Sequence, residues 1–347
     1  MIGLLWVGCL PKSHTAFRLQ PRGPEPPGAA ALRSEILESR PHAAETIDHW
    51  IREAGGYAEH RLSFASIGYN AQHQNLVEAT YFERRTPGRK ALVIILPIWG
   101  SSSYPGRALL RQLRRDDAVG DMSFLLIHGR EYLFDWEGMA RASSEAALRG
   151  TLATSVEAML NSIQDARRLL TWAVERPEVD PSRIAIAGFS SGAIVAAITM
   201  GVDRRIGTGV FVMGGADPHE IFSTCSSHAR TSREAVRRNL GWSLDQFRAT
   251  LEGPLSAINP RHYVSSIDPA NVLVVEASAD RCIGDNPRRE FWTALGRPEK
   301  ISVLGGHRHS FLSMTPLGRH WTTRRISEFL RRKLAARPMD SVPIAAR

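Results

Sequence analysis

The chain has 347 residues, 43% of them hydrophobic, and a formal net charge of +9. That length buries one large core or two modest ones, and one domain with insertions is the expectation. The positive charge is arginine-heavy and scattered in pairs such as Arg114-Arg115, Arg167-Arg168, Arg204-Arg205 and Arg237-Arg238. No run forms a basic tail, and no aromatic or motif context accompanies the pairs, so nucleic acid is excluded as an expected partner.

The first nine residues, Met1 to Cys9, are apolar but lack a positive leading region and are too short to span a bilayer. No transmembrane segment is expected. A cytoplasmic location is favoured, with an exported or lipid-anchored form as the alternative, because Gly8-Cys9 resembles the end of a lipoprotein signal. Three cysteines, Cys9, Cys225 and Cys282, are widely spaced. They give neither a disulfide framework nor a metal-ligand pattern, so a reduced, metal-free chain is expected.

Pro21 to Gly28 is rich in proline and glycine and reads as a linker, which makes residues 1–30 a tail ahead of a domain over 31–337, with a second tail at 338–347. A helical segment, Ala31 to Ala54, broken at Pro41, is predicted to open the domain. Arg61 to Ser66 and Asn75 to Arg84 then alternate apolar and polar residues, as half-buried strands of an antiparallel hairpin do. Further on the strands become continuous apolar runs: Ala91 to Leu96, Met122 to Ile127, Arg183 to Ala187, Gly209 to Met213, Asn271 to Glu276 and Ile301 to Leu304. Helical stretches at Arg107–Arg114, Thr154–Val174, Gly192–Met200, Pro287–Leu295 and Thr322–Leu334 separate most of them. The expected class is α/β, a mostly parallel sheet of about eight strands with helices on both faces. The connection over about 217–268 is too long for a simple crossover, and Ser232–Leu240 and Ser243–Leu251 have helical periodicity. It reads as a helical insertion after the sixth strand, serving either as a roof over the substrate pocket or as extra packing.

Gly188-Phe189-Ser190-Ser191-Gly192 lies where the buried strand Arg183 to Ala187 meets a helix of small residues beginning at Ala193. A sharp strand-to-helix turn holds a serine in a strained backbone and pushes its hydroxyl into open space, and only glycines at the flanking positions let strand and helix approach closely enough. Ser190 is therefore the candidate nucleophile. The Ser191 amide, at the start of the helix, is the candidate first oxyanion donor. Backbone amides of Ile98 and Trp99, in the loop after the third strand, are the candidates for the second, with Gly100 permitting the tight path.

A serine hydroxyl needs a base within hydrogen-bond reach and a carboxylate to orient that base. Asp280 follows the strand ending at Glu276 and sits just beyond the carboxyl edge of the sheet, the side the serine faces. It is preferred over Asp285, which can serve the helix starting near Pro287, and over the reserve candidate Asp217. The base is His307 or His309 in Gly305-Gly306-His307-Arg308-His309, directly after the last strand. His307 is preferred because it follows the glycine pair. His128 reads either as a substrate contact or as a sheet-end residue.

With this elbow, Asp280 and the Gly306-His307 pair in that chain order, the sequence resembles the α/β-hydrolase superfamily from about Leu62 to Leu334. Asp268 to Asn271 and Phe291 to Gly296 are similar in layout to the C-terminal half of bacterial dienelactone-hydrolase-like and acetyl-esterase-like members. The resemblance implies a carboxylic ester hydrolase acting on a small-molecule ester through an acyl-enzyme, with no metal or organic cofactor. Amide or peptide hydrolysis on the same fold, and a non-catalytic binding protein, are the alternatives.

Overall fold

The computed structural model describes residues 43, 45–67, 76–100, 104–117, 121–129, 133–226, 228–303 and 315–335. Its sheet has nine strands, not eight, in the order β1-β2-β3-β5-β4-β6-β7-β8-β9. Three strands form an antiparallel entry: β1 (Ile47–Ala54), β2 (Tyr57–Ala65) and β3 (Leu76–Arg84). β3 also runs antiparallel to β5 (Met122–His128). From β5 onward the neighbours β4 (Lys90–Leu96), β6 (Val179–Phe189), β7 (Thr208–Val212), β8 (Val272–Ala277) and β9 (Glu299–Val303) are all parallel.

The additional strand β1 corrects the helix expected up to Ala54. Ile47, Trp50, Ile51 and Ala54 have helical spacing, but Gly55 and Gly56 follow with φ of 61° and 75°. Two consecutive positive φ values make the tight turn whose twist matches a hairpin, so the segment pairs with β2 instead. Tertiary pairing overrides the periodicity, and the face that looked like a buried helix stripe is exposed, with Trp50 at 62%.

β4 shows why the later strands read as unbroken apolar runs. Leu92, Ile94 and Leu96 enter the core on one face, and Ala91, Val93 and Ile95 enter the core on the other. The first core lies under α3 (Glu145–Val174) and α4 (Ser191–Val202), and the second under α1 (Tyr104–Asp116) and α9 (Pro316–Leu334). Ser327 on α9 donates to Asp116 at the end of α1 across 2.6 Å, joining residues 211 apart in the chain. α3 begins nine residues before the expected start at Thr154, because Ser144 caps it by accepting from the Ala147 amide and Gly150 is carried inside it.

The long connection between β7 and β8 is helical, as expected, with α5 (Pro218–Thr224), α6 (His228–Leu240) and α7 (Leu244–Leu255) followed by four short 3-10 turns. It packs on the α3–α4 side of the sheet. Phe222 of α5 meets the Phe134 ring at 4.8 Å and the Trp136 ring at 5.2 Å. Ser232 and Asn239 of α6 donate to the carbonyls of Trp136, Ala140 and Ala142 in and beside α2 (Trp136–Arg141). α8 (Asp285–Ala294) precedes β9. Among the described residues no helix is long and apolar enough to cross a membrane.

Beside α4 a buried ion cluster fixes the start of the connection to β7. Asp203 lies 2.6 Å from Arg205 and 3.4 Å from Arg167, and the Asp203 and Arg167 side chains are each 5% exposed. Burial pushes the Asp203 carboxyl up, but the hydrogen bonds and charge of Arg205, aided by Arg167, outweigh it and hold its pKa below the usual carboxylate value. A depressed carboxylate contributes stability above its unfolded pKa and loses it as pH falls through the folded one. Asp203→Ala leaves Arg167 buried beside a second cation and is expected to cost about 3–5 kcal/mol in urea unfolding, and a loss below about 1 kcal/mol refutes the pairing.

Candidate active site

The turn between β6 and α4 has the backbone the sequence called for. Ser190 adopts φ 55° and ψ −117°, a region in which a side chain is strained at a cost of about 1–3 kcal/mol. The surroundings hold it there. The Ser190 amide donates to the Val212 carbonyl of β7 across 2.8 Å, and its carbonyl accepts from the Ala193 amide across 2.9 Å. A side chain at Gly188 would collide with the Gly192 carbonyl, and one at Gly192 would collide with the Pro97 carbonyl. Both glycines are thus required by close backbone approach, and the second brings the first turn of α4 against the Pro97 loop. Ser191 is the first residue of α4, so its amide has no carbonyl of the same helix to bond.

The Pro97 to Gly100 loop crosses from the end of β4. Gly100 turns with φ 73°, and its amide donates to the Gly129 carbonyl across 3.2 Å. Ile98 packs against the α1–α9 core and Trp99 against the other. Pro97 and the Trp99 indole both lie over Gly129, where a side chain would run into them. The loop carrying Ile98 and Trp99 is therefore anchored between β5 and the start of α4.

Asp280 is 8% exposed in the loop after β8, two strands from the elbow. Its Oδ1 accepts from the amides of Cys282 at 2.7 Å and Ile283 at 3.1 Å, which fixes the carboxyl in one orientation. Arg288, itself 8% exposed, spans the same loop by donating to the carbonyls of Ile283 at 2.9 Å and Ser278 at 3.5 Å. Asp285 is the first residue of α8 and pairs with Arg288, with its side chain 89% exposed. Asp217 is engaged elsewhere: it accepts from Asn259 at 2.8 Å and from Arg261 at 3.1 Å. His128 sits opposite Glu78 in the β3–β5 pairing and bonds Thr80 through Nε2 at 2.8 Å.

The expected reduced chain is corrected here. Cys225, directly after α5, and Cys282, in the Asp280 loop, form a disulfide across 57 residues of sequence. The Ser226 amide also donates to the Arg281 carbonyl, so the acid loop and the insertion are joined by a covalent bond and a hydrogen bond side by side. Spacing alone could not reveal this pair, because the insertion between its members determines whether they meet. Arg288 was missed as well, and a lone arginine on a helix gives no signal of its own.

His307 and His309 lie outside the described residues. Their segment starts directly after Val303, whose register partner is Ala277, and the Val303 carbonyl accepts from the Ser278 amide at 3.0 Å. The last described residue before both histidines thus lies beside the loop that carries Asp280.

No sequence-family model matches the chain, and no curated protein matches it significantly. Solved structures do. An acetyl xylan esterase from a Paenibacillus species superposes with a TM-score of 0.60 at 16% identity, covering 88% of this chain and 92% of that one. Acetyl xylan esterase 1 from a Thermoanaerobacterium species gives 0.61 at 13% identity over 88% of this chain and 95% of its own. The acylaminoacyl peptidase of Pyrococcus horikoshii gives 0.56 at 15% identity, with 82% of this chain matching 43% of that longer one. The fold is that of the α/β-hydrolases.

Proposed function

We propose that the chain is a serine hydrolase that cleaves carboxylic esters. The observation that carries the reading is Ser190, held at φ 55° between two glycines that no side chain can replace, with the first amide of α4 beside it. His307, or His309 in its place, accepts the Ser190 proton as the oxygen attacks the ester carbonyl. The amides of Ser191 and of Ile98 or Trp99 receive the oxyanion of the tetrahedral intermediate. Collapse breaks the acyl–oxygen bond and the imidazolium returns its proton to the leaving alcohol. Water, deprotonated by the same histidine, then attacks the acyl-enzyme and releases the acid. Asp280 fixes the imidazole tautomer and balances its charge, and its rigid seat on two amides suits that task. The helices of the insertion, over about 217–268, shape the substrate pocket.

A strained serine is costly to keep in a protein that only binds, which favours catalysis over a binding role. The likeness to an acylaminoacyl peptidase supports amide hydrolysis as a second reading. A fluorophosphonate probe is expected to label Ser190 in the wild type and to leave Ser190→Ala unlabelled, and absence of labelling in the wild type removes the proposal. A panel of acyl esters, with acetyl esters first, set against aminoacyl amides decides between the two enzymes: faster turnover of the amides favours the second.

A further inference from the structure

A groove of about 990 Å³ lies on the α1 side of the entry strands and reaches β5, with Leu126, His128 and Gly129 in its lining and β4 between β5 and the elbow strand β6. Its wall is α1, where Arg107, Arg111, Arg114 and Arg115 repeat at helical spacing and face the floor formed by β2 and β3. Arg61 of β2 and Arg52 of β1 bring the guanidinium groups lining it to six, against the two carboxylates of Glu59 and Glu78. Like charges gathered in one concavity repel one another, and a fold that leaves them unneutralised raises the local concentration of anions.

The six are not equivalent. Arg52 is paired with Glu59 at 2.8 Å. Arg114 is held in place by the Ala54 carbonyl and by stacking on Tyr57 and Phe82, where it supports the wall. Arg61, Arg107, Arg111 and Arg115 have no carboxylate partner among the described residues, and all four are exposed. Their forks are available to a ligand. A carboxylate is satisfied by one bidentate fork, whereas a phosphoryl group offers three oxygens and close to two charges, enough to engage several guanidinia together. The floor adds a second requirement. Glu78 and Thr80 supply oxygens that accept hydrogen bonds, and the buried Leu110, Leu126 and Phe82 line the groove as well. A bare inorganic ion leaves that floor unused, and the volume is that of a small-molecule site. Nucleic-acid bases would require exposed aromatic faces, yet Phe82 is 7% exposed and Tyr57 2%.

We propose that this groove is a binding site for a phosphorylated, hydroxyl-bearing small molecule, with Arg107, Arg111, Arg115 and Arg61 holding the phosphoryl group and Glu78 and Thr80 accepting from its hydroxyls. The proposal does not depend on the reading of Ser190.

Calorimetric titration of the full chain at low ionic strength tests it, with glucose 6-phosphate, glucuronate, inorganic phosphate and glucose as probes. Glucose 6-phosphate is expected to bind, the other anions more weakly, and glucose not at all. Arg111→Gln and Arg107→Gln, both at exposed positions, should each weaken glucose 6-phosphate by about tenfold or more while leaving hydrolysis of a small neutral ester unchanged. The proposal is overturned if glucose 6-phosphate fails to bind, if glucuronate or phosphate binds as tightly, or if both variants retain wild-type affinity.

Discussion

Ser190→Ala is expected to lower ester turnover on the order of 10⁶-fold, leaving only the residual acceleration that bound substrate receives from the oxyanion donors. The backbone at this position adds a second result that a merely structural serine would not give. With φ 55° and ψ −117°, the residue occupies a conformation that suits glycine alone. Ser190→Gly should therefore be equally inactive yet more stable than the wild type by up to about 1–3 kcal/mol, the strain that the side chain imposes. The gain appears as an increase in the denaturant midpoint with an unchanged slope. An inactive but destabilised glycine variant would contradict the strain argument, while retained turnover in the alanine variant would contradict the assignment of the nucleophile.

Opening the Cys225–Cys282 cross-link should have the second largest effect. The bond closes a segment of 57 residues, and the chain-entropy model assigns a closure of that length about 4 kcal/mol of stability. Cys225→Ala with Cys282→Ala is expected to lose most of this in equilibrium unfolding, and a reductant should reproduce the loss in the wild type but not in the double variant. Turnover should fall as well. The Cys282 amide donates to Asp280 Oδ1, so freedom at Cys282 passes directly to the proposed acid. A displacement on the order of 1 Å in a catalytic group costs about 10²-fold in rate. A stability loss with unchanged kcat would show that Ile283 and Arg288 position the carboxylate without help from the disulfide.

The two effects depend on parts of the chain that were unequally legible. The elbow could be read from five residues and their neighbours, because its geometry is set by local sterics: Gly188 and Gly192 are needed within one turn of Ser190. β4 was equally plain, since a strand buried on both faces has no polar positions to obscure it. β1 was misread because Ile47, Trp50, Ile51 and Ala54 satisfy helical spacing, while the deciding contact is a pairing with β2 imposed by the Gly55-Gly56 turn. The disulfide was hidden for a related reason. Cys225 meets Cys282 only after α6, α7 and β8 have folded back, and no local pattern encodes that return. Asp280 could be placed by its position after a strand, but the identity of its amide donors could not.

The order of the layers sets a schedule for assembly. Leu109 and Leu113 of α1 share their core with Ile326, Phe329 and Leu330 of α9, and Ser327 reaches Asp116 across most of the chain. During synthesis that flank of the sheet stays unsealed until the ribosome has released α9, long after β4 and β5 have emerged. The apolar residues that α9 covers therefore stay exposed for the whole interval.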